Sequence, residues 1–398
     1  MRDLKIAVEG RWWDTLLYKG KLHALTPEGD WEIFDWDAVI AELAETVEER
    51  AGAAIQYAFR SSNAISNGNL NRDDVIEGFS RVPTESFEIS SKKLRRHLLL
   101  KGSAVSSFPS TSMLMHYDRM VISSLGGVYT EYINPNDVSI GSLKRITSVA
   151  TRQISAAYGR IACASGEAGL RQLDLQLESG FHPNESDGYQ LTQESCDACD
   201  WMYQNVSAMS YHGNSIIAKF DRTNEFFQPA GAQQSGGEIE EGGVERLEFS
   251  GIESLTEGLN ENRRNGKVIA WGSHDKIYRI SGSILESFRF ISSGKRYDLG
   301  AVELPSSAGE IVSVKAALFG VVVEFDASVV VIRGGGDCLI IEGEPINTST
   351  FPRSKSYENQ LHLIFDDQLS VVSLNSPIES EDFYQKKFGS KAPSGWFG

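Results

Sequence analysis

The chain has 398 residues, 41% of them hydrophobic and 10% aromatic, and 38 Lys and Arg against 54 Asp and Glu give a net charge of −16. This composition suffices for a large apolar core and excludes a disordered chain. The acidic balance argues against non-specific binding of DNA or RNA, which requires a basic surface that displaces counterions.

The first predicted element is a strand from Leu4 to Val8. No long apolar leader is visible before it, and no stretch approaches the roughly 18 apolar residues needed to span a membrane. We therefore expect a soluble, cytoplasmic protein without membrane contact. A hairpin from Asp14 to Phe34 comes next. We interpret the tryptophans around it as core packing rather than as a platform for stacking sugars: Trp12, Trp13, Trp31 and Trp36.

Residues 36 to 60 depart from the β pattern. Asp37 suits the N-cap of a helix, and the spacing of the apolar residues is that of one amphipathic helix face. The pattern predicts a single inserted helix over 36–60 that packs against its own domain or, alternatively, docks a partner. The apolar residues recur every four positions, at Val39, Leu43, Val47, Ala51, Ile55 and Phe59.

Two polar segments follow this helix. Residues 61 to 80 show little periodicity and predict a long loop. Residues 92–97 contain a compact basic cluster of Lys92, Lys93, Arg95, Arg96 and His97. We interpret the cluster as a solvated edge strand whose charges block edge-to-edge pairing, with a nucleic-acid patch as the alternative.

From residue 120 onward one pattern recurs, in which two runs of β-branched, aromatic and small apolar residues are joined by a Gly or Asp turn. Lys267 to Ile280 is the clearest copy. Repeats of about 40 to 50 residues, each a small antiparallel sheet, are typical of propeller blades. Successive turn markers lie 40 to 62 residues apart, at Gly126, Gly166, Gly213, Asp275, Asp326 and Asp366.

The pattern predicts an all-β fold, a β-propeller of about seven four-stranded blades. Residues 1–377 are predicted to form a single domain. Tandem β-sandwiches are the alternative, since they also contain regularly spaced short strands. Propellers commonly close by pairing an N-terminal strand into the last blade, so we expect Leu4–Val8 to pair near Leu361–Leu374.

The dipeptides Trp13-Asp14 and Trp36-Asp37 resemble the Trp-Asp pair of WD repeats. They lie 23 residues apart and do not recur at the blade interval. The chain is thus similar to a divergent, WD-repeat-like β-propeller over most of residues 112–374. The similarity concerns the rhythm of hairpins only and carries no functional residues over.

The four cysteines do not form the disulfide framework of a secreted protein. Cys163 and Cys338 lie in apolar strand patterns and are predicted to be buried thiols. Cys196 and Cys199 have the spacing of metal ligands, but two further ligands and a thioredoxin-like context are missing. We interpret them as loop cysteines and predict no metal site.

Residues 228–244 are rich in Gly, Gln and Glu and predict a mobile loop. Residues 378–398 form a polar tail that contains aromatic side chains, which are unfavourable in water. We expect this tail either to fold back onto the propeller or to supply hot-spot contacts to another protein. The candidate partner-binding residues are Phe383, Tyr384, Phe388, Trp396 and Phe397.

No P-loop or His-Glu-x-x-His motif is present in the sequence. We predict a non-catalytic scaffold or recognition subunit of a cytoplasmic multiprotein complex, without a cofactor and with other protein subunits as partners. A weaker alternative is a nucleic-acid-associated subunit that uses residues 92–97. The other alternative is a hydrolase of glycans or phosphate esters that gathers carboxylates at a channel mouth, drawn from Glu131, Asp174, Glu324, Asp326, Asp366 and Asp367.

Overall fold

The computed structural model describes residues 3–60, 73–83, 86–102, 108–133, 143–175, 185–202, 204–211, 214–227, 244–256, 268–273, 276–290, 296–305, 309–333, 336–354 and 356–374. The chain divides into two compact units. One comprises Met1–Gly102 and Ala308–Gly398, and the other comprises Ser103–Ser307.

The N-terminal part of the first unit alternates strands with short helices. Its elements are β1 (Leu4–Glu9), β2 (Asp14–Tyr18), β3 (Lys21–Leu25), β4 (Trp31–Asp35), α1 (Trp36–Ala44), α2 (Glu49–Phe59), α3 (Asp73–Arg81), β5 (Phe87–Ile89), α4 (Ser91–Arg95) and β6 (Leu98–Gly102).

The described elements of the second unit are all strands. They are β7 (Ser110–His116), β8 (Arg119–Ser124), β9 (Gly127–Tyr132), β10 (Lys144–Thr147), β11 (Gln153–Ala157), β12 (Arg160–Ala164), β13 (Leu170–Asp174), β14 (Tyr189–Thr192), β15 (Ala198–Trp201), β16 (Asn205–Met209), β17 (Ser215–Phe227), β18 (Val244–Ser254), β19 (Val268–Ser273), β20 (Lys276–Ser281), β21 (Ile284–Phe290) and β22 (Arg296–Glu303).

The chain then returns to the first unit with seven more strands. They are β23 (Ile311–Ala317), β24 (Gly320–Phe325), β25 (Ser328–Arg333), β26 (Cys338–Glu342), β27 (Asn347–Thr350), β28 (Gln360–Ile364) and β29 (Gln368–Ser373).

The second unit contains four antiparallel sheets, β7–β10, β11–β14, β15–β18 and β19–β22, each with its strands in chain order. The first strand of each sheet lies beside the first strand of the next, so that β7 contacts β11, β11 contacts β15 and β15 contacts β19. Side chains from neighbouring sheets share apolar clusters, such as the one that contains Ala162, Trp201 and Phe220.

The first unit contains three sheets: β23–β26, the sheet of β2, β3, β4 and β6, and a sheet with the strand order β27-β28-β29-β1-β5. With the four sheets of the second unit they confirm the predicted fold class, a seven-bladed β-propeller of four-stranded sheets, one of which β5 extends to five strands. The hairpin predicted from Asp14 to Phe34 corresponds to β2, β3 and the start of β4. A single domain over 1–377 stays a prediction.

The predicted pairing of the N-terminal strand with the C-terminal strands is confirmed. β1 pairs antiparallel with β29 in unbroken register, from Leu4 opposite Ser373 to Glu9 opposite Gln368. The sequence pattern gave no sign of β5, which adds to the other edge of β1 as a short parallel strand.

The turn markers do not all lie in equivalent hairpins of their sheets. Gly126, Gly166, Asp326 and Asp366 lie between the second and third strands of their sheets, whereas the hairpin from Lys267 to Ile280 joins the first and second strands, β19 and β20. A turn motif indicates that two strands are joined. It does not show whether they are the first and second or the second and third strands of their sheet. Gly213 and Asp275 themselves lie outside the described residues.

The predicted helix over 36–60 consists of two helices, α1 and α2. Asp35, rather than Asp37, caps α1, because its carboxylate accepts a 3.0 Å hydrogen bond from the backbone N–H of Ala38. The chain turns after Ala44, and α2 packs so closely on α1 that a Cβ at Gly52 would lie 2.6 Å from the Ala44 carbonyl oxygen. Of the loop predicted over 61–80, residues 61–72 lie outside the described residues and the rest belongs to α3.

The helices pack against their own unit, as predicted. Apolar residues of α1, α2 and α3 form one core cluster with β1, β3 and β29. The last carbonyl groups of α2, which no helical N–H can reach, accept hydrogen bonds from side chains at the sheet and from α1. Asn359 and Ser373 donate to the Ala58 oxygen at 3.1 and 2.9 Å, and the Trp36 indole donates to the Phe59 oxygen at 2.8 Å.

We predict that Asn359→Ala lowers the free energy of unfolding by about 1–3 kcal/mol, because it leaves buried carbonyl and hydroxyl groups with fewer partners. The measurement is urea denaturation of the full chain. The same substitution at exposed Asn214 is the matched control and should change stability by less than about 0.5 kcal/mol. Equal midpoints for the two variants would show that Asn359 does not anchor α2.

Candidate functional site

The five aromatic residues predicted to bind a partner lie outside the described residues, as do residues 228–243 of the predicted mobile loop. The aromatic residues are Phe383, Tyr384, Phe388, Trp396 and Phe397, and their role stays a prediction. Among the described residues, a concentration of ionisable groups with shifted pKa values occurs where the first strands of the three sheets in the first unit meet.

Polar side chains connect these first strands. β27 lies between β23 and β2. The ammonium group of Lys315 on β23 donates a hydrogen bond to the backbone oxygen of Thr348 on β27. Ser349, also on β27, hydrogen-bonds the carboxyl group of Asp14 on β2. Glu324 on β24 attracts Lys315 and accepts a 2.7 Å hydrogen bond from the Ser313 hydroxyl. We name the resulting group the inner polar cluster and define it as Asp14, Ser313, Lys315, Glu324 and Ser349.

The carboxyl groups of this cluster are buried, with Asp14 5% and Glu324 9% exposed. Burial raises the pKa of Asp14 to about 7, although the Thr15 backbone N–H, Lys315 and Ser349 act in the opposite direction. Burial also lowers the pKa of Lys315, against the attraction of Glu324 and Asp14. The cluster therefore contains a carboxyl group that changes charge near neutral pH beside a cation.

A carboxyl group that titrates near neutral pH can act as a general acid or base, provided that it reaches a substrate. Asp14 is almost completely enclosed. A cleft of about 490 Å³ in the same unit is lined by other residues, among them Glu342, Phe365 and Asp366. The geometry of the inner polar cluster is therefore that of a polar brace between three sheets.

The carboxylates proposed for a hydrolase are dispersed along the described chain. Glu131 lies on β9, and Asp174 at the end of β13 has a side chain that is 79% exposed. Asp326 lies in the β24–β25 turn. Only Asp366 and Asp367, which are adjacent in the β28–β29 turn, line the same cleft.

Sequence reasoning missed the inner polar cluster as a group, although two signals were available. Lys315 is the one charged residue in the run from Ile311 to Phe319, and His362 interrupts the apolar run from Leu361 to Ile364. A charge within an apolar strand indicates a buried partner. The partner of Lys315 lies on another sheet, so the sequence does not name it.

Two histidines near this cluster are buried in the neutral form. Nδ1 of His362 lies 2.9 Å from Oγ1 of Thr15, and Nε2 has no hydrogen-bond partner among the described residues. Neither ring nitrogen of His23 has a hydrogen-bond partner among the residues that the structure describes. Burial lowers the pKa of both histidines to about 3.

These lowered pKa values predict acid sensitivity. Below about pH 6.5 the unfolded chain binds a proton at each histidine and the folded chain does not, so stability decreases as the pH falls from 6.5 towards 3. Each histidine contributes about 1.4 kcal/mol per pH unit within this window. His23→Leu should therefore lose less stability than the wild type between pH 7 and pH 5 in urea titrations. An equal loss in the two proteins would contradict a neutral, buried His23.

The basic cluster is not an edge strand. Ser91–Arg95 form the short helix α4, and its cations pair with acids of the same unit. Glu42 on α1 lies 2.8 Å from His97 and 2.6 Å from Arg96. These two side chains, together with Lys93, hold the pKa of Glu42 below its usual range. Because these cations are paired with acids, less positive charge is available to bind the phosphate backbone of a nucleic acid.

Arg95 of the same cluster is also paired. Its guanidinium lies 3.2 Å from the carboxylate of Glu32, whose side chain is 1% exposed. Lys101 approaches the same carboxylate at 3.8 Å. The basic residues around α4 thus compensate a buried negative charge on β4.

The prediction of loop cysteines at positions 196 and 199 is wrong. Cys199 lies within β15, and Cys196 forms a β-bridge with Gly166. Both thiols pack in the apolar cluster between two sheets. Burial raises the pKa of Cys196 to about 12 and that of Cys199 well above its usual value. Both thiols therefore stay protonated and unreactive at neutral pH.

Cys163 is buried, as predicted, and burial raises the pKa of its thiol. Cys338 is exposed, contrary to the prediction, because β26 is the outer strand of its sheet and alternate side chains face solvent. Trp12, Trp31 and Trp36 are buried, which confirms core packing for these three.

No protein-family model matches the chain, and no curated protein matches it. The chain is similar to the solved β-propeller domain of Cps50 (Swd1) from Myceliophteria thermophila, with a TM-score of 0.48 and 10% identity over 92% of this chain and 97% of that one. The WD40 domain of Pan2 from Neurospora crassa gives a TM-score of 0.44 and 10% identity over 94% and 95% of the two chains.

The WD40 β-propeller domain of Doa1 gives a TM-score of 0.44 and 7% identity over 93% of this chain and 92% of that one. These similarities carry no information on function, and the fold assignment rests on the strand order of the chain itself. Among the described residues, no helix is long and apolar enough to cross a membrane.

Proposed function

We propose that this protein is a non-catalytic interaction subunit, a scaffold or recognition component of a cytoplasmic multiprotein complex. The proposal rests chiefly on the sheet β23–β26 and the connection that follows it. Exposed apolar surface is a feature of interaction sites, and this region exposes apolar residues near both ends of β23, on β26 and in the connection after it. Four large apolar side chains in this region are between 38% and 49% exposed: Val312, Leu318, Ile340 and Ile346.

The contacts of the buried ionisable groups support the same proposal. Asp14, Lys315 and His362 contact other strands of the propeller rather than the lining of the 490 Å³ cleft. Their shifted pKa values thus follow from burial in a brace that fixes the first strands.

The C-terminal tail is the second proposed contact. Tyr, Trp and Phe side chains supply a large share of binding energy at protein interfaces. The tail follows Leu374, which is buried at the end of β29 and bonded to the Asn359 carbonyl oxygen at 2.8 Å. The tail thus begins four residues after a fixed point of the scaffold.

We predict that deletion of residues 378–398 abolishes co-purification of the native partner and leaves the melting temperature unchanged. Tagged full-length and truncated proteins are compared by affinity purification, mass spectrometry and differential scanning fluorimetry. The matched control keeps the tail and replaces Lys386, Lys387 and Lys391 with Ala, which retains the five aromatic residues. A large fall in melting temperature on truncation would show that the tail belongs to the fold, and retention of the partner would remove the tail as a contact.

A second candidate function, hydrolysis of phosphate esters or glycosides, is favoured by one observation, the pKa of about 7 of Asp14, which lies beside Lys315. It predicts turnover of p-nitrophenyl phosphate or p-nitrophenyl glycosides that Asp14→Asn abolishes. Asp298→Asn, at an exposed carboxylate outside the proposed set, is the control and should keep full activity. Absence of turnover in the wild type, or full turnover in folded Asp14→Asn, would rule out this candidate.

A further inference from the structure

The outer strands of the sheets differ in how their free edges are protected. An exposed regular strand is a template on which another chain can add a strand, and proteins commonly prevent this with bulges, charges or a covering element. In five of the seven sheets, the outer strand carries one extra residue relative to its partner. The extra residues are Leu99 on β6, Ile146 on β10, Leu191 on β14, Ser250 on β18 and Leu299 on β22.

The remaining two sheets have a regular outer pairing. β1 pairs with β29 without a shift, and β5 covers its second edge. β26 pairs with β25 without a shift, from Ser328 opposite Glu342 to Ile332 opposite Cys338. Within the described ranges no strand covers the second edge of β26.

The sequence of β26 carries a single charge, that of Glu342 at its C-terminal end. Cys338, Leu339, Ile340 and Ile341 precede Glu342, so that no Lys, Arg or Pro interrupts the strand. Ile340 is 44% exposed. Among the described strands, β26 is thus regular, largely apolar and uncovered along one edge, which is the combination required for strand addition.

The charge around β26 specifies the partner. Asp337 precedes the strand, and Glu342 and Glu344 follow Ile341, all exposed. The cleft of about 490 Å³ lies at this C-terminal end. Its described lining comprises Ile341, Phe365 and four carboxylates, with Lys5 as the one cation. The four carboxylates are those of Glu342, Glu344, Asp366 and Asp367.

We propose that β26 binds an extended, lysine- or arginine-bearing segment of a partner protein, which adds to the sheet as a fifth strand. Backbone hydrogen bonds to β26 would supply affinity, while the acidic cleft would select a basic side chain at one end. Five residues of β26 span about 17 Å, which fits a peptide segment of five to seven residues. This inference rests on the proposed function as an interaction subunit and specifies the chemistry of its partner.

The test uses a fluorescein-labelled heptapeptide of alternating lysine and valine, titrated with the full-length protein and followed by fluorescence anisotropy. Neighbouring N–H groups of a strand point to opposite edges. Two N-methylated peptides, one methylated at every lysine and one at every valine, should therefore differ, with one binding like the parent and the other at least about tenfold more weakly. Equal affinities of the two methylated peptides would contradict strand addition.

Protein variants locate the site. Ile340→Lys should weaken binding of the parent peptide at least about tenfold, because it places a cation on the apolar edge beside a basic peptide. Leu99→Lys on the bulged strand β6 is the matched control, since Leu99 is also 44% exposed, and it should bind like the wild type. Glu342→Lys combined with Glu344→Lys should weaken binding and reduce its salt dependence. Wild-type affinity in Ile340→Lys would overturn the proposal.

The same variant separates this inference from the proposed function. If Ile340→Lys still co-purifies with the native partner and the wild type does not bind the peptide, binding at β26 is contradicted. The proposed function as an interaction subunit is then still supported. If the peptide binds β26 but no partner co-purifies with the wild type, strand addition at β26 is supported and the proposed function as an interaction subunit is contradicted. A wild-type dimer that Ile340→Lys dissociates in sedimentation velocity would assign the edge to a second copy of the chain and overturn the proposal.

Discussion

The pairing of β1 with β29 is the constraint on which the rest of the first unit depends. It joins residues about 360 to 370 positions apart in one sheet, with Leu4 opposite Ser373. Because the pairing is non-local, its loop-closure entropy must be offset by the burial that it permits. Ile6, Val8, Leu369 and Val371 are fully buried and belong to the core that also holds the helices. Without β1, this core would lose one wall and β29 would have an open edge.

The brace between first strands and the protection of outer strands follow from the same architecture. Where the first strands of neighbouring sheets lie side by side, buried polar groups must find partners on the neighbouring sheet. Lys315 and Asp14 do so through β27. At the outer edges the opposite problem arises, since each sheet leaves a strand to be protected. Bulges protect five sheets and β5 protects one, whereas among the described strands neither device protects β26.

The hairpin rhythm was predictable from the sequence because turns and strand alternation are local properties. The break between α1 and α2 was not, since the apolar spacing from Val39 to Phe59 continues across it. The close approach of Gly52 to Ala44, which fixes that break, is a tertiary contact. The inner polar cluster was also beyond reach, because Asp14 and Lys315 lie about 300 residues apart and meet only through the order of the sheets. Cys338 was misassigned for a similar reason, since apolar outer strands and apolar inner strands have the same sequence pattern.

Native-state hydrogen exchange with mass spectrometry tests the central role of the β1–β29 pairing most directly. If both ends of the chain fold as one cooperative sheet, the amides of Leu4–Glu9 and Gln368–Ser373 open with the same free energy, equal to that of global unfolding. Opening of Leu4–Glu9 at a free energy several kcal/mol below that of Gln368–Ser373 would contradict the account, because β1 would then be an appendage rather than a wall of the core.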